Sequence, residues 1–267
     1  MKRFLKSVAS RFGYEIVNKR APYLYDENFG YEIIKKKDPG FYYEDGLRTY
    51  HTHDFVADKD FVRAYEIAKQ ASPNPRFHYG RWRVHIALRA AQTALRHGGD
   101  FVECGVFQGF MSVCILEYLK WNDVAGDRRF YLVDTFSGLV AEQVTEEEKA
   151  LGRLEKYREF YDDTFDTARR NVSPYKNVVL VKGIVPDVLP QVTATHVAYL
   201  HIDMNCSPPE VAALKYFWPK MEKGGVILFD DYAYLSYETQ KEALDRVATE
   251  FGIAITSLPT GQGLLIK

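Results

Sequence analysis

From residue 101 onward, short apolar runs alternate with segments of helix length, and four of the runs carry an acid at their end. The runs cover 101–105, 129–134, 177–182, 197–203 and 226–230, and the acids are Glu103, Asp134, Asp203 and Asp230, the last followed at once by Asp231. Between them the pattern predicts helices at 109–121, 159–171, 208–222 and 236–251. Strands that alternate with helices make a parallel sheet with right-handed crossovers. Two final apolar runs, 253–258 and 263–267, flank Pro259-Thr260-Gly261-Gln262 and predict a closing antiparallel hairpin. The expected fold is therefore α/β: a Rossmann-like, doubly wound sheet, mostly parallel. Such sheets bind ligands at the carboxyl ends of their strands. One strand-end acid is ordinarily a helix cap; four on one edge are better explained by a shared site.

The N-terminal part reads differently. Phe4, Leu5, Val8 and Phe12 lie at helical spacing among Lys2, Arg3, Lys6 and Arg11. A short amphipathic helix is expected within 1–20, docked on the chain's own body or a second subunit, with weak membrane-surface contact as the other reading. Residues 21–57, rich in Tyr, Phe, Asp and Glu, are expected to be irregular and to cover a site or form an interface. His51-Thr52-His53 is a His-x-His pair, but a metal site needs a third ligand, so a structural or substrate contact is the stronger reading. Helices follow at 58–70 and 80–97, separated by Ser72-Pro73-Asn74-Pro75. In the second, Trp82, Ile86, Ala90 and Ala94 are spaced for a buried stripe, and Gly98 and Gly99 end it. The expected division is a mixed helical and irregular cover at 1–75 and a sheet domain at 76–267.

Composition removes several function classes. A formal net charge of −1 gives no reason to expect nucleic acid as a partner. No apolar run approaches the ~20 residues that cross a bilayer. The three cysteines, Cys104, Cys114 and Cys206, form no paired framework, which suggests reduced thiols and a cytoplasmic setting.

The turn after the first sheet strand separates two cofactor classes. A nicotinamide dinucleotide wants G-x-G-x-x-G, whose middle glycine lets backbone approach the pyrophosphate. Here the spacing is Gly105-x-x-x-Gly109, and Phe107 fills the middle position. S-adenosylmethionine has no phosphate. Glu103 suits its cationic part, and amides near Gly105 and the helix starting near Gly109 suit its carboxylate, with Ser112 assisting. Asp134 is placed for the ribose hydroxyls. Ser137, Gly183 and Asp203, near other strand ends, complete the expected donor-side set. Asp203, Asp230 and Asp231 would repel one another unless a cation sat between them. All-oxygen ligation suits Mg²⁺, which lowers the pKa of a bound hydroxyl.

Four ordered motifs then resemble a known family: Phe-Val-Glu-Cys-Gly-Val-Phe-Gln-Gly (101–109), Asp-Thr-Phe-Ser-Gly-Leu (134–139), His-Ile-Asp-Met-Asn (201–205) and Gly-Gly-Val-Ile-Leu-Phe-Asp-Asp-Tyr (224–232). They look like the macrocin O-methyltransferase family, which includes the aminocoumarin-antibiotic O-methyltransferases. The similarity covers roughly residues 75–267. It implies a class I methyltransferase fold, S-adenosylmethionine as donor, and Mg²⁺ on the positions matching Asp203, Asp230 and Asp231. It implies sugar hydroxyls on natural products, other glycans or phenols as acceptors, and a homo-oligomer. Many relatives have Asp-Gly-Asp where this chain has Asp203-Met204-Asn205, and their second Asp is the proposed base. An amide cannot be that base, although Asn205 could ligate metal or bind substrate. A metal-bound carboxylate, His51, His53, His78 or water stays open as the proton acceptor. His201 shares a strand face with Asp203 and is either a site residue or a packed core histidine. The expectation is metal-assisted methyl transfer to a sugar or natural-product hydroxyl. A non-catalytic donor-binding protein and a nicotinamide oxidoreductase are the alternatives.

Overall fold

A computed structural model describes residues 14–18, 31–35, 42–75, 78–158 and 163–267. The chain divides into two compact units, Met1–His53 and Asp54–Lys267. In the first, strand β1 (Tyr14–Asn18) pairs antiparallel with β2 (Tyr31–Lys35), and β3 (Tyr42–Glu44) pairs with β4 (Leu47–Thr49). Three of these strands fall where irregular structure was expected. Asp45-Gly46 explains the second hairpin, because both residues have positive φ (50° and 79°), as a tight two-residue turn requires. The expected stripe of Phe4, Leu5, Val8 and Phe12 lies outside the described residues, but a helix does not extend over Tyr14–Asn18.

The second unit opens with α1 (Lys59–Ala71), whose first turn is capped by Asp58 accepting from the Phe61 amide at 2.8 Å. Phe61 and Ala68 of α1 join the main core, so this unit begins upstream of residue 76. Helix α2 (Arg81–Ala94) buries Arg83, Val84, Ala87, Leu88, Ala90, Ala91 and Ala94. Its inner face includes Ala90 and Ala94 of the expected stripe but is wider, taking in Arg83, Val84, Ala87, Leu88 and Ala91, and Trp82 and Ile86 are partly buried at its margin.

The sheet then forms in chain order. It comprises β5 (Asp100–Cys104), β6 (Phe130–Asp134), β7 (Val178–Lys182), β8 (Val197–Ile202), β9 (Met221–Phe229), β10 (Thr256–Ser257) and β11 (Gly263–Ile266). The spatial order is β10-β11-β9-β8-β5-β6-β7. Strands β5 to β9 are parallel, and β11 runs antiparallel to β9 and β10. The doubly wound sheet and the closing hairpin are as the alternation predicts. Helices α3 (Phe110–Leu119) and α4 (Trp121–Val124) link β5 to β6. After β6 come α5 (Glu146–Ala150), α6 (Arg153–Arg158) and α7 (Phe165–Val172). Helix α8 (Ser207–Phe217) links β8 to β9, and α9 (Glu238–Glu250) follows β9.

Alternation along the strands divides the core into two layers. Phe101 packs with α1 to α3 on one face; Val102 and Cys104 pack with Leu214, Phe217 and Leu244 on the other. Every residue of β8 is buried, as suits a central parallel strand. The acidic stretch 140–158 carries α5 and α6. Thr145 and Glu148 form a capping box. Glu148, fully buried, also accepts from the Ser207 amide at 2.8 Å and hydroxyl at 2.5 Å, which ties α5 to the start of α8.

All three cysteines are free and buried, and burial pushes each thiol up. None should react with Ellman's reagent in the native protein near neutral pH, and all three should react in guanidinium. A fast-reacting native thiol would contradict this packing.

Candidate active site

The chain leaves β5 toward β6 on one side and returns through β8 on the other, so the sheet switches direction between β5 and β8. The strand ends are aligned there. Gly105 donates to the Val133 carbonyl at 2.9 Å, Asp203 to Cys104 at 2.8 Å and Asp230 to Ile202 at 2.9 Å. These bonds set the strand-end acids in a row. Phe107, Phe136 and Asn205 follow three of these strands with φ of 52°, 54° and 60°. Left-handed non-glycine residues are strained, and they cluster at functional sites.

The expected donor-side residues separate into a rim and a buried support. Gly105, Asp134, Gly183 and Asp203 are half-buried, and Ser137 is exposed. Glu103, Gly109 and Ser112 are buried. Register pairs Glu103 with His201 on neighbouring strands. His201 Nδ1 lies 2.9 Å from Glu103 Oε1, and the Ser112 hydroxyl donates to Glu103 Oε2. Glu103 and Ser112 are thus engaged within the protein. Asp134 Oδ2 accepts from the amides of Val106 and Phe107 at 2.6 and 2.8 Å, and Oδ1 from Phe136 at 2.7 Å. The amides expected to face a ligand carboxylate are held by this acid, because β5 and β6 are adjacent. Gly183 donates to the Asp134 carbonyl at 2.9 Å.

Across the switch point, one ligand atom from each of Asp203, Asp230 and Asp231 lies within 4.8 Å of the others. Among the described residues this is the group of three that could hold a metal ion. Arg83 of α2 donates to Asp230 Oδ2 and, at 2.8 Å, to Asp231 Oδ1. Tyr79 donates to Asp203 Oδ2 at 2.5 Å, and Gln262 donates to Asp230 Oδ1 at 3.1 Å. Burial, with the charges of Asp230 and Asp231, pushes the Asp203 carboxyl well above the usual range. Burial also raises Asp231 despite Arg83. For Asp230 burial works upward too, but Arg83 and His201 outweigh it and hold the carboxyl down. Burial alone would lower His201, yet Asp230 and Glu103 raise it to about 10. His201 Nε2 stands 3.8 Å from Asp230 Oδ1, an ion-pair distance too long for a hydrogen bond, and among the described residues it has no hydrogen-bond partner.

Asn205 is oriented by its neighbours. Its Oδ1 accepts from Tyr157 at 2.5 Å, with the Tyr237 hydroxyl 3.1 Å away, and its Nδ2 donates to Asp203 at 3.3 Å. It therefore presents a donor, not a base, to the acid cluster. His78 Nε2 is 2.6 Å from the Ser72 carbonyl, and His51 and His53 belong to the N-terminal unit. Arg83, Tyr79, Tyr157, Tyr237 and Gln262 were missed by the sequence reading. Arg83 had a signal: a charged residue one position from an apolar helical stripe.

A switch point between β5 and β8, a glycine turn after β5 and acids on adjoining strands define a protein of the class I methyltransferase fold. The solved O-methyltransferase NovP superposes with a TM-score of 0.63 at 23% identity, covering 70% of this chain and 80% of NovP. The calicheamicin methyltransferase CalS11 superposes with a TM-score of 0.55 at 17% identity, covering 81% and 97%. The sequence model of the macrocin O-methyltransferase (TylF) family matches residues 51–254, and the chain belongs to that family. Among curated proteins, the demethyldecarbamoylnovobiocin O-methyltransferase of Streptomyces niveus is 27% identical over 162 residues, 58% of this chain and 60% of that protein. A tetracenomycin-C rhamnosyl 4'-O-methyltransferase of Streptomyces olivaceus is 28% identical over 152 residues, 53% of this chain and 57% of that protein. The matches span about three-fifths of the length of these relatives.

Proposed function

We propose that this chain transfers a methyl group from S-adenosylmethionine to a hydroxyl of a sugar or glycosylated natural product, assisted by Mg²⁺. The observation that carries the reading is the convergence of Asp203, Asp230 and Asp231 beside the switch point of a sheet in this family. The named relatives are O-methyltransferases of demethyldecarbamoylnovobiocin and of a rhamnosyl tetracenomycin-C, which supports the acceptor class. The donor lies along the rim of Gly105, Asp134, Ser137 and Gly183, with Glu103 and Ser112 supporting the loop from beneath.

The ligand set suits a hard divalent cation, because three carboxylates converge on one place. Bound there, Mg²⁺ supplies charge that favours the ionised form of an acceptor hydroxyl. The chain's own residues align the reactants. The acceptor oxygen bonds to the methyl carbon as the carbon–sulfur bond breaks, leaving S-adenosylhomocysteine. A carboxylate of the cluster receives the acceptor's proton, since Asn205 cannot. Alignment and exclusion of water contribute several kcal/mol. A cytoplasmic homo-oligomer is part of the same reading; no described helix is long and apolar enough to cross a membrane.

Calorimetry with S-adenosylhomocysteine and donor turnover on a panel of sugar acceptors test this, with Mg²⁺ or excess chelator. Binding is expected, with turnover lost in chelator. Full turnover in chelator would remove the metal. Binding without turnover on any acceptor would favour a non-catalytic donor-binding protein, and binding of NAD instead would favour an oxidoreductase.

A further inference from the structure

The acid cluster is already engaged by this chain's own donors, and among the described residues that hydrogen-bond to it Arg83 is the permanently charged one. Tyr79 and Asn205 take the two oxygens of Asp203, and Gln262 takes Asp230 Oδ1. These are neutral. Arg83 alone spans Asp230 and Asp231, and it also donates to the Asp230 carbonyl at 2.6 Å. Its side chain is buried, 7% exposed, between the rings of Tyr79 and Tyr234, whose centroids lie 5.9 and 5.1 Å from the guanidinium carbon. The helix beneath it is anchored by Ala87, Ala91 and Ala94, all fully buried.

A divalent ion on these three acids needs oxygens that Arg83 now holds, and two cations cannot share them without repulsion. We propose that Arg83 is the resident cation of the acid cluster, and that a divalent ion binds by taking Asp230 and Asp231 from it. This rests on the metal part of the proposed function. The arrangement keeps buried carboxylates from repelling one another before an ion arrives. It also weakens the ion's affinity by the charge-assisted bonds that must be released. The flanking rings offer the displaced guanidinium a cation–π position, so its charge stays near the site. Arg83 is a positioning residue in this account, acting through the acids.

The test uses Mn²⁺ as the probe, with the full chain stripped of metal and binding read by electron paramagnetic resonance. R83Q removes the charge and keeps a hydrogen-bonding side chain. It is expected to bind Mn²⁺ about tenfold more tightly than wild type, or better. Its melting temperature, lowered without metal, should rise more on adding Mn²⁺ than that of wild type. R83K keeps the charge and should stay closer to wild type in affinity. Unchanged or weaker Mn²⁺ binding by R83Q overturns the proposal, as does absence of binding by both proteins. Should R83Q fail to fold, a wild-type crystal grown in saturating Mn²⁺ decides. A guanidinium moved off Asp231 supports the proposal; an ion on the acids with Arg83 unmoved, or no ion, overturns it. The two readings fail separately: Mn²⁺ bound equally by R83Q and wild type overturns Arg83 as the resident cation and leaves the metal part of the proposed function standing, whereas Mn²⁺ bound by R83Q but not by wild type overturns both. S-adenosylhomocysteine binding by the same preparations tests the donor half independently.

Discussion

Asp230→Asn is expected to lower methyl transfer about a hundredfold or more while leaving S-adenosylhomocysteine affinity within a few-fold of wild type. Asp230 accepts from Arg83 on one oxygen and Gln262 on the other, with His201 beyond. A carboxamide offers one acceptor atom. Whichever way it turns, an NH₂ group faces either Arg83 or Gln262, and a buried donor loses its partner. Arg83 and His201 also lose a compensating charge. Stability should fall by roughly 3 kcal/mol, the low end for breaking a buried ion pair. Donor affinity is spared because Asp134 and the glycine turn lie across the switch point on β5 and β6. Donor turnover, calorimetry and thermal unfolding measure the three quantities. Turnover close to wild type would remove Asp230 from the chemistry.

Gly105→Ala should be more damaging to the fold than to any single contact. Gly105 has φ of +93°, and a Cβ built there would stand 1.7 Å from the Asp203 carbonyl oxygen and 2.4 Å from its carbon. Neither atom is the end of a flexible side chain; both are backbone of the neighbouring strand's end. Accommodating a methyl would push β8 away from β5 and carry Asp203 with it. The left-handed backbone adds about 1–2 kcal/mol for an L-residue. The expected result is a loss of roughly 4 kcal/mol or more, seen as insoluble protein or a much lowered denaturation midpoint. Gly109→Ala is the control: its φ is also positive, at +87°, but its Cβ would meet only Val172 at 3.8 Å. Equal damage from both substitutions would mean that backbone conformation, not the approach of Asp203, sets the need for glycine.

Much of this architecture was legible in the residues. The order of sheet strands and helices followed from alternating apolar runs, because burial on both faces of a parallel sheet demands continuous apolar segments. Asp203, Asp230 and Asp231 were legible as a cluster because strand ends of one sheet lie on one edge. The short helices α5 and α6 were not. Their stabilising contacts are long-range, with Glu148 bound to Ser207, and an acidic stretch alone does not show a distant partner. The hairpin at Asp45-Gly46 was legible in principle, since Asp-Gly is a turn signal, but the surrounding aromatic and charged residues obscured it.

The site itself divides along the same line. Sequence alone determined which acids meet, since that follows from local strand endings and topology. It determined too that position 205 carries an amide and cannot serve as a carboxylate base. Only the tertiary structure decided what the acids touch. Arg83 reaches Asp230 and Asp231 across 147 and 148 positions, Tyr79 reaches Asp203 across 124, and Gln262 arrives from the final hairpin. Local spacing does not encode such pairings. They arise where packing fixes the turn of a helix about its own axis, and here the buried face of α2 includes Arg83 and sets it against the acids.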